Sequence, residues 1–221
     1  SVNFSQPQHI REWLELYEQL RKQSLLKRIS GKIQRGSHGH DVTLVLDCSE
    51  RMRGQTFTTM IEAAKKYVNG IKQVKMATSL EDNIGVAVFG GKSGLIIEST
   101  SNYDLVLEEI CKLRPGGEAP LFGGFLMGLS GIGATSQIMD NEVQGYMIVF
   151  TDGMAGKTST DKKNTFGIDP SYLIGNPHRH DEIGRVISLI ASHLIKIFYV
   201  PIGDNIRNEV SGISILRATK L

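Results

Sequence analysis

Residues 41–52 read Asp-Val-Thr-Leu-Val-Leu-Asp-Cys-Ser-Glu-Arg-Met, and the rest of the chain is organised around this stretch. Residues 42–46 combine two valines, a threonine and two leucines, a composition typical of a strand that is buried on both faces of a parallel sheet. The run ends in Asp47, Cys48 and Ser49, and a helical pattern begins a few residues later. A carboxylate and a hydroxyl therefore follow a buried strand directly, at the edge of an open α/β sheet where ligands bind.

Strand-like and helix-like segments alternate after this stretch, which predicts a doubly wound, mostly parallel sheet with helices on both faces (an α/β, Rossmann-like fold). An antiparallel edge strand is expected at residues 95–99, after a glycine-rich turn. The parallel strands are expected at residues 42–46, 84–89, 146–150 and 197–200. The helices are expected at residues 57–71, 103–113, 121–132, 183–193 and 206–216.

An amphipathic helix is predicted ahead of this alternation, at residues 10–29, because its apolar side chains recur at helical spacing. We divide the chain at residue 40, so that residues 1–40 form this extra helix and a linker and residues 41–221 form the α/β domain. An isolated helix of this length is marginal in water. Trp13 and Tyr17 are therefore expected to be buried against the domain.

Basic residues without an intervening acid run from Arg21 to Arg35 on this helix and linker. One interpretation is a solvated helix face, and the other is a dock for an acidic partner or for nucleic acid. The formal net charge of the whole chain is +2, which is too small to imply a polyanionic partner by itself.

The bulk composition is ordinary for a globular protein of 221 residues, with 40% hydrophobic and 22% charged residues. Two cysteines do not make a disulfide framework, so we expect two free thiols and favour an intracellular compartment. No apolar run approaches the roughly 20 residues that a membrane span requires.

Three motifs in chain order resemble the metal-ion-dependent adhesion site of the von Willebrand factor A domain family. The first loop of that family reads Asp-x-Ser-x-Ser, and residues 47–51 read Asp-Cys-Ser-Glu-Arg, so Arg51 replaces the last serine. Residues 116–121, Gly-Gly-Glu-Ala-Pro-Leu, resemble the second loop, with Ala119 in place of a metal-binding threonine. Residues 150–153, Phe-Thr-Asp-Gly, resemble the third loop.

The resemblance covers roughly residue 41 to the C-terminus and implies the strand order 3-2-1-4-5, with the strand that carries Asp47 at the centre. Family members usually add one more strand and helix beyond the last strand recognised in this sequence. The chain is then a fragment, or the N-terminal helix covers the surface that the extra helix would cover.

The resemblance also implies a metal site formed by Asp47, Ser49 and Asp152, which is incomplete. Magnesium prefers an octahedron of oxygen ligands, and two hydroxyls of the family set are replaced. Glu118 would restore an acidic ligand or stay solvated. A guanidinium can pair with two carboxylates and so take the place of a cation. We therefore expect no cofactor, keep magnesium at the incomplete site as the alternative, and predict that Arg51 contacts Asp47, Asp152 or both.

Enzyme motifs fail on spacing, so we predict a non-catalytic protein. The segment Gly91-Lys92-Ser93 lacks the first glycine of a phosphate loop and is followed by a strand instead of a helix. The interval from Cys48 to Arg53 is one residue short of a Cys-x5-Arg phosphatase loop. The sequence His-Arg-His-Asp-Glu at residues 178–182 is a transition-metal candidate or a loop and helix start.

The preferred hypothesis is a protein–protein interaction module, or scaffold, whose partner binds at the top edge of the sheet through Arg51, Glu118 and Asp152. The polar segment at residues 155–180 is long for a connection and is expected to lie over the same edge. Two alternatives remain: a nucleic-acid-associated module that uses the basic stretch, and a metal-dependent adhesion module.

Overall fold

The fold is described from a computed structural model of the chain. The described residues are 10–31, 35–36, 39–118, 121–132, 137–138, 141–142, 145–152, 188–189 and 195–203. The segment predicted to cover the sheet edge (155–180) and the predicted helix at 206–216 lie outside these residues. The helix predicted at 183–193 is described only at residues 188–189, which are helical.

Four α-helices and seven strands have bounds within the described residues. In chain order these are α1 (Ile10–Ile29), β1 (Asp41–Cys48), α2 (Gln55–Thr78), β2 (Asn83–Gly90), β3 (Gly94–Thr100), α3 (Tyr103–Lys112), α4 (Leu121–Gly131), β4 (Gln137–Ile138), β5 (Asn141–Glu142), β6 (Gly145–Thr151) and β7 (Ile195–Pro201). A 3-10 turn, Glu50–Met52, lies between β1 and α2.

The main sheet has five strands in the order β3-β2-β1-β6-β7. The strand β1 pairs in parallel with both β2 and β6, and β6 pairs in parallel with β7. The edge strand β3 is antiparallel to β2. With the two-residue hairpin of β4 and β5 set aside, this is the predicted order 3-2-1-4-5, and the predicted α/β fold is confirmed.

The helix α2 differs from its prediction, since it runs from Gln55 to Thr78 instead of from residue 57 to residue 71. Its last two turns bury little surface, and Met76 there is exposed. The apolar residues at helical spacing, from which the helix was predicted, therefore end before the helix itself ends. The helix ends at Ser79, which adopts the left-handed conformation with φ of 61°.

Two hydrophobic layers cover the two faces of the sheet, because alternate strand residues point to opposite faces. Val45 of β1 packs with the layer that contains α1 and α4, whereas Leu44 and Leu46 pack with the layer that contains α2 and α3. The helix α4 lies close to the sheet, and a Cβ at Gly128 would lie 2.6 Å from a methyl carbon of Val45.

The N-terminal helix α1 belongs to this core. Trp13 and Tyr17 are each only 1% exposed, as predicted. The Trp13 ring meets Phe122 of α4 edge-on, with 5.8 Å between the ring centroids. It also lies over Gly123, where a Cβ would be 2.7 Å from the indole ring. The helix is therefore packed on the sheet layer instead of projecting from it.

The linker that follows α1 is bonded to the amino-terminal edge of the sheet. Arg35 Nη2 lies 2.7 Å from each carboxylate oxygen of Asp41, which is fully buried. The backbone N–H of Gly36 donates to the side-chain oxygen of Asn83 at 2.8 Å. These bonds hold the linker against β1 and β2. In the described part of the chain, no helix combines the length and apolar character needed to cross a membrane.

Candidate functional site

The candidate site lies next to β1, where the order in which strands are added to the sheet reverses. From β1 the chain passes to β2 on one side, and it later places β6 on the other side of β1. The crevice outside the carboxyl ends of two such strands is where ligands bind in open α/β sheets. Asp47 lies at the end of β1 and Asp152 follows the last residue of β6.

Asp47 is buried in this crevice, with 1% of its surface exposed. The Ser49 backbone N–H donates to its Oδ1 at 3.0 Å, and the Thr151 hydroxyl donates to its Oδ2 at 2.6 Å. Burial raises the pKa of Asp47 above its ordinary value, the hydrogen bonds from Thr151 and Ser49 oppose that rise, and the nearby charge of Asp152 adds to it.

Sequence reasoning missed Thr151, although a signal for it existed. The parallel register pairs Leu46 with Phe150, so the next residues along the two strands, Asp47 and Thr151, come level with each other. Aligning the two strands from the sequence would have placed this hydroxyl beside the carboxylate.

Ser49 is also buried, with 1% of its surface exposed. Its hydroxyl makes no hydrogen bond of good geometry within the described residues, yet it lies near enough to Asp47 to lower the pKa of that carboxyl. Ser49 therefore acts on Asp47 through both its backbone N–H and its hydroxyl.

Arg51 projects from the 3-10 turn towards the end of β6. Its Nη2 donates to Asp152 Oδ1 at 3.1 Å, and the two side chains are 27% and 13% exposed. The predicted contact between Arg51 and Asp152 is confirmed. The guanidinium therefore supplies positive charge to a carboxylate that the sequence resemblance assigns to a metal.

The second loop docks on the first through its backbone. The N–H of Glu50 donates to the carbonyl of Gly117 at 2.8 Å, and the N–H of Gly116 donates to the carbonyl of Cys48 at 2.8 Å. Gly91 donates to the carbonyl of Gly116. The backbone at Gly90 has a φ of 145° and passes close to the end of β1. A Cβ at this position would overlap the Cys48 carbonyl oxygen.

Arg53 joins the same two loops through contacts that the sequence did not predict. Its guanidinium pairs with Glu50 through two hydrogen bonds and donates to the Pro115 carbonyl at 3.2 Å. The hydrogen bonds from Arg53 lower the pKa of Glu50. The spacing of three residues between Glu50 and Arg53 is the signal for the ion pair, but nothing local points to Pro115.

The remaining predicted site residue, Glu118, lies on this second loop. Glu118 follows Gly117, and its side chain is exposed at the rim of the crevice. Ala119, which takes the place of a family threonine, lies outside the described residues.

The residues in this arrangement do not fit a magnesium ion. Both oxygens of Asp47 already accept hydrogen bonds, and Asp152 is paired with a guanidinium. A magnesium site needs several oxygen ligands with charge left for the ion. Among the described residues, no group of three or more His, Cys, Asp or Glu side chains is arranged to hold a metal.

The basic stretch from Arg21 to Arg35 is partly neutralised within the chain. Lys27 pairs with Glu98 of β3, and Arg35 pairs with Asp41. No contact of this stretch among the described residues supports a nucleic-acid-binding role. The histidine-containing motif at residues 178–182 lies outside the described residues.

Comparisons with known proteins find one matching family model and several similar structures. The model of the von Willebrand factor type A domain matches residues 42–155. The pilus adhesin SpaC from Lactobacillus rhamnosus GG matches with a TM-score of 0.52 and 15% sequence identity, over 85% of this chain and 28% of SpaC.

Two further structures match at lower TM-scores. One is BatB from Bacteroides thetaiotaomicron, a conserved hypothetical protein, with a TM-score of 0.48, 17% identity, and 74% of this chain and 66% of that one covered. The other is the vWF domain of the type V pili tip protein Mfa5 from Porphyromonas gingivalis, with a TM-score of 0.45, 23% identity, and coverage of 53% of this chain and 39% of that one.

The chain spans only 20% and 39% of the two Mfa5 structures that it matches. A comparison with curated protein sequences gives no match. Because the family model matches more than half of the 221 residues, the chain belongs to the von Willebrand factor type A domain family.

Proposed function

We propose that the chain is a non-catalytic protein-interaction module whose partner binds at the carboxyl edge of the sheet, around Arg51, Glu118 and Asp152, without a divalent cation. The observation that carries the proposal is the ion pair between Arg51 and Asp152 at the crevice between β1 and β6. The guanidinium of Arg51 supplies the positive charge that a bound metal ion would otherwise provide.

The chemistry of the crevice supports binding over catalysis. Burial and the neighbouring Asp47 charge raise the pKa of the Cys48 thiol to about 12, so this thiol stays protonated near neutral pH and is a poor nucleophile. The Asp47 carboxyl is buried and accepts hydrogen bonds from two donors of the chain. It is therefore poorly placed to transfer a proton to or from a substrate.

The surface around the crevice has the character of a polar interface rim. Glu118, Arg53 and Lys92 are exposed there on three different loops, and they carry both signs of charge. Charged side chains at a rim set specificity and the rate of encounter more than affinity. SpaC, which shares the fold, is named a pilus adhesin, and its name agrees with a binding role for this module.

A capture experiment tests the proposal. The immobilised chain is incubated with cell extract, bound proteins are identified by mass spectrometry, and the capture is repeated with a chelator. We expect a saturable partner that is retained in the chelator, because no step of the proposed binding needs a divalent ion.

Two matched variants locate the surface. Glu118→Arg reverses a charge at the crevice rim, whereas Glu62→Arg reverses one on the exposed side of α2. Capture should fall with Glu118→Arg and stay at the wild-type level with Glu62→Arg. A partner that is lost in the chelator, or that binds both variants equally well, would refute the proposal.

A further inference from the structure

We infer that a second surface of the molecule, at the amino-terminal edge of the main sheet and opposite the candidate site, binds an anionic lipid surface. The argument starts from where large apolar side chains are exposed. Of nine such side chains among the described residues, six lie in the last two turns of α1 or at the end of α2. These helix-end apolar residues are Leu25, Leu26, Ile29, Val74, Met76 and Leu80.

The ends of α1 and α2 lie at the same edge of the sheet. The linker after α1 is fixed there, because Arg35 pairs with Asp41, the first residue of β1. The chain after α2 reaches Asn83, the first residue of β2, within four intervening residues. The two segments touch, since a Cβ at Gly36 of the linker would overlap the Glu81 side chain. The helix-end apolar residues are therefore gathered at the edge opposite the crevice between β1 and β6.

Each of these helices ends at a defined position. Gly31 after α1 and Ser79 after α2 both adopt the left-handed conformation, which is a common way for a helix to terminate. Close to these ends Ile29 is 75% exposed and Met76 is 83% exposed. Apolar side chains in water gain free energy when they enter an apolar medium, so both helix ends favour a partner with an apolar interior.

The helix ends are basic as well as apolar. Residues 19–40 contain six lysines and arginines and no acid, and residues 63–80 contain four lysines and no acid. Three of these lysines are paired within the chain, and their partners are Glu98 for Lys27, Asp104 for Lys72 and Glu81 for Lys75.

Lys22 brings a positive charge next to the apolar end of α1. It is exposed and precedes Leu26 and Ile29 by four and seven positions, which places the three residues on one side of the helix. A lysine can lay its apolar stem along a lipid surface while its ammonium group reaches the headgroups. The helix dipole also favours lysines at a helix end, but it does not account for the exposed apolar side chains beside them.

The placement of the two ends favours a lipid surface over a protein partner. The helix α1 packs on one face of the sheet and α2 on the other, so the sheet separates the two apolar ends. A groove that holds one amphipathic helix would receive only one of them. An anionic membrane is a broad surface with negative headgroups above an apolar interior, so both ends can enter it together. The candidate site then faces away from the lipid.

A vesicle-binding assay with the full chain tests this inference. Vesicles of equal parts phosphatidylcholine and phosphatidylserine are the probe, vesicles of phosphatidylcholine alone are the reference, and bound protein is measured by co-sedimentation. We expect saturable binding to the anionic vesicles and weaker binding to the neutral ones. High salt should reduce the difference, because it screens the lysine charges. Absence of binding to the anionic vesicles, or equal binding to both kinds, would overturn the inference.

Matched variants at exposed positions assign the binding to the helix ends. Ile29→Thr and Met76→Thr should each weaken binding to anionic vesicles about fivefold or more, whereas Ile96→Thr, within β3, should leave it unchanged. Lys22→Gln should weaken binding about fivefold, the effect of one lysine near an anionic surface, whereas Arg11→Gln, near the start of α1, should not. Thermal denaturation confirms that each variant is folded. Equal binding by the wild type and all variants would contradict the assignment.

The same variants distinguish the other possible occupants of this edge. Self-association in sedimentation equilibrium that Ile29→Thr abolishes would show that a second copy of the chain covers the helix ends. Capture of a protein that Ile29→Thr abolishes would show a protein occupant, and either result overturns the lipid inference. The proposed function is tested separately, because capture through Glu118 is measured without lipid.

Discussion

The guanidinium of Arg51 lies 3.1 Å from the carboxylate of Asp152, although the two residues are 101 positions apart in the chain. The pair lies at the crevice between β1 and β6, where the Asp152 charge also acts on the buried Asp47. Two neighbouring carboxylates repel each other unless a cation lies nearby. In this chain a side chain provides that cation.

Removing the guanidinium should therefore destabilise the fold. We expect Arg51→Ala to lower the free energy of unfolding by about 2 kcal/mol, since a mostly buried carboxylate loses a cationic partner. The control is Arg11→Ala, which removes an exposed pair with Glu15 and should change stability by less than about 0.5 kcal/mol. Chemical denaturation measures both. Equal effects of the two variants would mean that Arg51 has no special electrostatic role.

The raised pKa of Asp47 predicts a pH dependence with a definite sign. The folded chain holds a proton on Asp47 more readily than the unfolded chain does, so the contribution of this residue to stability falls as pH rises from its ordinary pKa of 3.8 through its raised folded value. In Asp47→Asn this contribution is gone. The variant should therefore gain stability relative to wild type as pH rises from about 4 to about 7.

Denaturation curves of both proteins across that pH range check this prediction. Other carboxylates, such as Glu50 with its lowered pKa, titrate in both proteins and cancel in the difference. A difference between the two proteins that does not change with pH would show that Asp47 titrates normally in the folded state.

Two glycine substitutions test the packing of α1 on α4. Gly123→Ala would place a Cβ 2.7 Å from the Trp13 ring, and we expect it to destabilise the protein by about 1–3 kcal/mol because the core is overpacked. Gly70→Ala lies within α2, where a Cβ would meet nothing within 4 Å. It should stabilise the protein by about 0.5–1 kcal/mol through helix propensity.

Thermal denaturation of both glycine variants decides the point. Changes of opposite sign are the expected result. A Gly123→Ala variant as stable as Gly70→Ala would mean that α1 does not pack on α4 in solution.

The two cysteines should react differently with a thiol reagent. Cys48 is buried with its pKa raised to about 12, whereas Cys111 is exposed on α3. In native protein near pH 8 we expect rapid labelling of Cys111 alone, and labelling of both thiols after denaturation. Rapid labelling of Cys48 in the native state, located by peptide mapping, would contradict the burial of the end of β1.

The five strands of the main sheet and α1 were predictable because each carries a regular pattern of apolar residues, whereas the short hairpin of β4 and β5 was not predicted. Residues 42–46 are a continuous apolar run, and Trp13 and Tyr17 repeat at helical spacing. The end of α2 was not predictable, since a helix whose last turns bury little surface leaves no apolar pattern. The contact between Arg51 and Asp152 was predictable because both residues follow neighbouring parallel strands.

Other parts of the site depend on register and on backbone contacts that a single sequence does not display. Thr151 reaches Asp47 only because the two strands run level with each other. Arg53 reaches the Pro115 carbonyl only because the second loop docks on the first through Gly116 and Gly117.

A calorimetric titration of the unmodified chain with magnesium and manganese tests the central claim most directly. If the Arg51 guanidinium stands in for the cation at Asp152, neither ion should give saturable heat at millimolar concentration. Replacing Arg51 with Ser and Ala119 with Thr together restores the family ligand set and should create binding. Tight, stoichiometric binding to the unmodified chain that is abolished by Asp152→Ala would contradict the claim and restore a metal-dependent adhesion mechanism.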